Sequence, residues 1–300
     1  MSHTIRPLHP ADAARALWNR SVPLWPMTPA LWAEMVDAEV ALVATEAGGA
    51  AHGQEEVVGL AVGARWPVAD GVRGSVRLLA VDPAHRRRGL GTALLDAVAE
   101  ALGQHGATVL RLGEGAPVYL TPGIDLREAA GLAFADARGF APIGEAVHLG
   151  VALGPLDTDT EADGARLAEA GVTVRRATPS DHAPLARLLD AEWPAWHPEV
   201  ARALANDPPS VHLAVRGADV LGFAAHSSSH AGMPWFGPMG TAPAARGLGV
   251  GAVLLRHCLA DLREAGHAQA TIAWAASLPF YEKAVGATVS HRFRRVERPL

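Results

Sequence analysis

The chain repeats itself once along its length, and that repeat limits its fold more than any other feature. Ile5-Arg6-Pro7-Leu8-His9-Pro10-Ala11-Asp12 matches Val174-Arg175-Arg176-Ala177-Thr178-Pro179-Ser180-Asp181. Each reads as a short strand, a turn with Pro, then an acidic helix start. Val58-Gly59-Leu60-Ala61 matches Leu221-Gly222-Phe223-Ala224, and Arg86-Arg87-Arg88-Gly89-Leu90-Gly91 matches Arg246-Gly247-Leu248-Gly249-Val250-Gly251. Residues 134–140 match residues 281–287. The four matches keep their order, and their offset shrinks along the chain, so the first copy carries the longer connections. The unit is too long for a solenoid repeat, which leaves duplication of a whole domain.

The acidic, small and helix-breaking stretch from Gly154 to Gly164 separates the copies. The division expected is therefore residues 1–153, a linker at 154–171 with a short helix near 165–170, and residues 172–300. Periodicity places a first strand at 4–8 and 172–177, with helices near 11–20 and 30–36, and 181–190 and 199–206. Strands follow at 40–45, 57–65 and 72–81, and at 211–216, 220–226 and 235–241. After the glycine turn, Leu90, Leu94, Leu95, Val98 and Leu102 recur at helical spacing, as do Val250, Val253, Leu254, Cys258, Leu259 and Leu262. A fifth strand (108–112; 270–274), a last helix and a closing strand (143–153; 288–296) complete each copy.

Composition narrows the classes. Hydrophobic residues make up 49% of the 300 residues and charged residues 19%, which suits packed cores and not disorder. A net charge of -5 argues against binding nucleic acid through an overall basic surface, and would slightly favour cationic amines. Lys283 is the sole lysine and Cys258 the sole cysteine, so no intramolecular disulfide can form and a reducing cytosol fits. With no signal-like apolar segment at the N-terminus and no run of bilayer length, the sequence reads as cytoplasmic, without a membrane partner.

The sharpest local signal is a strand, a short loop, Arg-x-x-Gly-x-Gly and an amphipathic helix, present twice. Glycines allow a sharp turn and close backbone approach. The helix that follows presents unpaired N–H groups and the positive end of its dipole, a combination that binds phosphate. In the first copy a run of Arg can pair with phosphate oxygens. This arrangement resembles the acyl-CoA-binding signature of the GCN5-related N-acetyltransferases (GNAT), whose loop amides hold the diphosphate of coenzyme A. The resemblance spans nearly the whole chain, twice over, with a tandem layout similar to that of mycothiol synthase; no motif makes the chain that enzyme. A dinucleotide-binding domain is the nearest competitor, but its motif would follow a first strand, not fall in mid-domain.

The resemblance implies an α/β fold of two tandem GNAT domains, each a mixed twisted sheet flanked by helices, splayed where the pantetheine arm would lie. It implies acetyl-CoA as cosubstrate, no metal, and binding residues Leu79, Val81, Arg86, Arg87, Arg88, Gly89, Leu90, Gly91 and Thr92 in the first copy. In the second copy they are Met239, Thr241, Arg246, Gly247, Leu248, Gly249, Val250 and Gly251. Ser277-Leu278-Pro279-Phe280-Tyr281-Glu282 looks like the family segment whose Tyr protonates the departing thiolate, which assigns Tyr281 as catalytic acid. Aligning Gly139 with Gly286 sets Phe134 opposite Tyr281, so the first copy lacks that acid unless Tyr119 substitutes.

The general base is open: His226 and His230 sit at a strand end with imidazoles suited to neutral catalysis, or are loop histidines among the chain's 14. Asp82 and His85 read as turn residues, Cys258 as core, and His3, His9 and His52 lack metal-ligand spacing. Trp193 and Trp196 form either a substrate lip or a packing cluster. The expected reaction is direct attack of a primary amine, on a small molecule or a peptide, on acetyl-CoA, with amides near residues 238–240 polarising the carbonyl. A non-catalytic acyl-CoA sensor or scaffold is the alternative. A monomer and a homodimer fit equally.

Overall fold

In the computed structural model, which describes residues 3–10, 13–46, 55–68, 71–230 and 232–300, the chain divides into two units. One comprises Met1–Ala146 with Phe293–Leu300, the other Val147–Arg292. Ala11, Asp12 and His52, used above, lie outside the described residues.

The first copy runs β1 (His3–Pro7), α1 (Ala14–Ser21), α2 (Pro29–Val36), β2 (Val40–Glu46), β3 (Glu56–Val68), β4 (Gly71–Val81), α3 (Leu90–Gln104), β5 (Val109–Leu112), β6 (Ile124–Asp125), α4 (Ala129–Ala137) and β7 (Ala141–Ala152). The rest of the chain runs α5 (Glu161–Glu169), β8 (Thr173–Arg176), α6 (His182–Glu192), α7 (His197–Leu204), β9 (Val211–Arg216), β10 (Asp219–His226), β11 (Trp235–Thr241), α8 (Val250–Glu264), β12 (Gln269–Ile272), α9 (Leu278–Val285) and β13 (Thr288–Pro299).

Both sheets are mixed. In the first unit β1 to β4 pair antiparallel in sequence order, and β4 pairs β5 in parallel from Arg73↔Val109 to Val76↔Leu112. In the second, β8 to β11 pair antiparallel, and β11 pairs β12 in parallel at Trp235↔Thr271 and Phe236↔Ile272. Beyond those registers β4 and β11 continue to Val81 and Thr241 paired only with β3 and β10, so each parallel pair opens before its glycine loop. That opening lies where the family resemblance implied a splay.

The long helices form because their apolar residues recur on one face. Leu90, Leu94, Leu95, Val98 and Leu102 of α3 are all buried, as are Val250, Val253, Leu254, Cys258, Leu259 and Leu262 of α8. Each such leucine contributes roughly 2 kcal/mol by leaving water. Small residues on the sheet let the helix close in: a Cβ on Gly63 would lie 2.5 Å from Val98 Cγ1. The second copy opens with a capping box between Thr178 and Asp181, whose carboxylate also takes two hydrogen bonds from Arg175 at 2.7 and 2.8 Å.

The sequence divided the copies end to end at residues 154–171, whereas the structure mixes their ends. Glu297–Pro299 of β13 pair with β5, and Leu149–Ala152 of β7 pair with β12. Each unit therefore takes its last strand from the end of the other copy. The expected linker helix is α5, which belongs to the second unit.

Candidate active sites

The two loops share one backbone. A short helical turn, Pro83–His85 or Pro243–Ala245, leads to a left-handed residue, Arg87 (φ 65°) or Gly247 (φ 83°). A second left-handed glycine caps the helix, Gly89 (φ 82°) or Gly249 (φ 85°). Only glycine holds that cap without strain. Nothing lies within 4 Å of where a Cβ on Gly89 would stand, so the first amides of α3 have room for an anion, whereas at Gly249 the Arg166 guanidinium stands 2.7 Å from that position.

The nearby residues differ in use. Arg86 turns to backbone carbonyls, donating to Val81 at 3.1 Å and Ser21 at 3.0 Å, and fastens the loop. Arg87, Arg88 and Arg246 are exposed. Leu90 and Val250 are buried in their cores. The Thr92 hydroxyl lies 3.5 Å from Arg138 Nη1. Val81 and Thr241 face Gly91 and Gly251, 3.6 and 3.7 Å from Cβ positions there, and Met239 packs on the second core. Leu248 is half-buried. Asp82 and His85 are turn residues as expected: Asp82 caps Ala84 at 3.0 Å and pairs with Arg20, and His85 Nε2 meets Glu46 at 2.8 Å.

Helix α9 ends at left-handed Gly286 and sets two rings against the loop and strand. Phe280 lies over Gly251, 3.5 Å from a Cβ position there, and Tyr281 stands edge-on to Phe236, the last residue of β11 paired with β12. Burial alone pushes the Tyr281 phenol up to about 12. In the first unit Phe134 lies over Gly91 at the same 3.5 Å. Phe134 is therefore the counterpart of Phe280, and buried Ala135 stands where Tyr281 does. The alignment through Gly139 is off by one because four residues separate Phe134 from Gly139 whereas five separate Phe280 from Gly286. The first copy still lacks a phenol at that point.

The first unit holds a cavity of about 160 Å³ where β4 and β5 part, walled by Trp18, Trp25, Leu79, Phe134, Asp125 and Glu128 among others. Asp125 is buried, which works to raise its pKa. Two hydrogen bonds from the Arg127 side chain and one from Trp25 Nε1 outweigh that and hold it below the usual range. Tyr119 is buried but is not part of that wall.

His226 is buried on the α8 side of its sheet, its Nε2 3.2 Å from Asp261 Oδ2. The same oxygen meets His212 Nε2 at 2.7 Å, and Oδ1 takes Arg176 Nη2 at 2.7 Å. Burial works to raise the Asp261 pKa, but these partners prevail and hold it far below the carboxylate range. His230 is fully buried and edge-on to Trp235 at 5.5 Å. Glu199, in the first turn of α7, is 9% exposed, and burial pushes its carboxyl up to about 7. Trp193 stacks on Trp196 at 5.4 Å and lies on Gly240, where a Cβ would meet its ring at 2.5 Å. Cys258 is fully buried, with its thiol raised by burial, and belongs to the core.

Asp261 and Glu199 escaped sequence reading. Asp261 had a signal, an acid three residues past Cys258 on the apolar face of its helix; Glu199 had none beyond its helix. Among the described residues no group of three or more His, Cys, Asp or Glu could hold a metal, and no helix is long and apolar enough to cross a membrane.

The profile of the acetyltransferase (GNAT) family matches residues 15–118 and again 180–287, so the chain belongs to the GNAT acetyltransferase family as a two-domain member. Solved structures share the tandem fold. A GCN5-related glucosamine N-acetyltransferase region of a fungal multi-domain GH3 β-N-acetylglucosaminidase superposes with TM-score 0.84 at 19% identity over 99% of this chain. The chain spans only 38% of that protein's length. A GCN5-related N-acetyltransferase from Sphaerobacter thermophilus gives TM-score 0.71 at 17% identity, covering 99% of this chain and 95% of that one. A tandem GNAT protein from the clavulanic acid biosynthesis pathway gives 0.65 at 18% identity, covering 99% and 98%. No curated protein matches in sequence.

Proposed function

We propose that the chain transfers an acetyl group from acetyl-CoA to the primary amine of a small molecule or peptide by direct attack, and that the second unit does the chemistry. The observation that carries this reading is the half-buried phenol of Tyr281, set against Phe236 where β11 leaves β12 and next to the ring that lies over Gly251.

In this reading the first amides of α8 and Arg246 hold the diphosphate of acetyl-CoA. The Met239 amide polarises the thioester carbonyl, since Pro238 carries no N–H and Gly240 pairs with Phe223 of β10. The amine forms a C–N bond and the C–S bond breaks. The ammonium proton goes to a base, for which His226, one of the two histidines the sequence offered and now set against Asp261, is one candidate and Glu199 the buried alternative. Tyr281, protonated throughout the neutral range, gives its proton to the departing thiolate and is reprotonated from solvent. The protein works in the cytoplasm, as a monomer or homodimer.

A second reading, an acyl-CoA sensor or scaffold, draws on the first unit. Its cavity opens at the parted strands beside Phe134 and Ala135, where no phenol stands. Thiol release from acetyl-CoA across a panel of primary amines separates the two. Release that falls in Tyr281→Phe supports catalysis in the second unit; binding without release by any amine supports the sensor.

A further inference from the structure

The two phosphate loops share a backbone but not their charge. Where the first reads Arg86-Arg87-Arg88-Gly89, the second reads Arg246-Gly247-Leu248-Gly249, so two of its three cations are gone. The space beside Leu248 is nonetheless cationic. Arg166, from α5 ahead of the second copy, reaches across and donates from Nη1 to the Leu248 carbonyl at 2.7 Å. Its Nη2 lies 2.7 Å from where a Cβ on Gly249 would stand, so the guanidinium rests on the loop itself.

That position is held. Asp163, one turn earlier in α5, accepts from Arg166 Nη2 at 2.9 Å and from Arg256 Nη1 of α8 at 2.9 Å. One carboxylate between two guanidiniums leaves a net positive charge at a helix N-terminus. The Arg166 side chain remains half-exposed, so its charge faces solvent above the loop.

We infer that Arg166 is a phosphate-binding residue of the second unit, supplying to the diphosphate of acyl-CoA the cation that Leu248 removed from the loop. The inference rests on the reading that this unit binds acyl-CoA. An arginine suits the role because its planar fork can keep one bond to the loop carbonyl and offer other N–H groups to phosphate oxygens. The segment joining the copies thereby becomes part of the second site, and α5 is needed for cofactor affinity as well as for connection.

The test is calorimetric titration of acetyl-CoA into the full chain carrying Gly91→Glu, which sets a carboxylate in the first loop and leaves the second as the binder. Gly91 is an ordinary helical position whose Cβ would make normal contacts, so the variant is compatible with the fold. Adding Arg166→Ala is expected to weaken binding about tenfold, the weight of a charge-assisted hydrogen bond. Arg166→Lys is expected to recover part of that loss, since it keeps the charge but not the fork. Unchanged affinity in Arg166→Ala overturns the inference alone. Tighter binding overturns it too and makes Arg166 a plug. Loss in Arg166→Lys as deep as in Arg166→Ala reduces Arg166 to a structural clasp. No binding by the Gly91→Glu parent overturns both the inference and the reading beneath it.

Discussion

The phenol of Tyr281 and the ring of Phe236 meet edge-on, with centroids 6.2 Å apart and planes at 75°. Helix and strand thus fix the phenol while burial keeps it protonated. Tyr281→Phe keeps the packing and removes only the proton donor. Turnover is expected to fall about 100-fold, within the usual range for a lost general acid, while the acetyl-CoA Kd measured by calorimetry stays within about twofold.

Glu199 gives the fold a pH dependence. Its folded pKa, about 7 against an ordinary 4.5, is raised by burial, so the folded state binds the proton more tightly. Its contribution is full below about pH 4.5 and is lost as pH rises toward 7, up to roughly 3 kcal/mol. Glu199→Gln should be the more stable protein at pH 8 and should flatten this part of the profile. Denaturant melts at pH 5 and pH 8 check it; equal wild-type and variant slopes across that window would remove Glu199 as the cause.

Asp261 works in the opposite sense. Its pKa is held down in the folded state, so its contribution is present at neutral pH and fades as acid protonates it. Asp261→Asn leaves His212, His226 and Arg176 without their shared carboxylate and should cost about 3 kcal/mol, the order for a broken buried pair. A melt reads that loss. His226→Gln separates packing from catalysis: if His226 is the base, turnover collapses at pH 7 and partly recovers at high pH, where the amine deprotonates without help.

Much of the fold was legible because the repeat, the two heptad-like faces after the glycine turns and the capping residues are local signals. The glycine loops showed themselves for the same reason: left-handed conformations at Gly89 and Gly249 demand glycine. What stayed hidden depends on long-range contact. Nothing in residues 288–299 announces that Glu297 will face Arg111 in the first unit's sheet. The match of Phe134 to Phe280 needed the packing over Gly91 and Gly251, because the first copy has one residue fewer between ring and glycine, which shifts the letters but not the ring. Arg166 lies 82 residues from Leu248, in a stretch whose composition reads as linker.

Thiol release from acetyl-CoA by the full chain, compared between Gly91→Glu and Gly251→Glu, tests most directly where the chemistry lies. Each places a carboxylate in one loop at a helical position with room for a side chain, and each should expel phosphate from its own site only. The account predicts that Gly251→Glu abolishes release and that Gly91→Glu retains it. Release that survives Gly251→Glu and vanishes in Gly91→Glu would contradict the account and move catalysis to the cavity of the first unit.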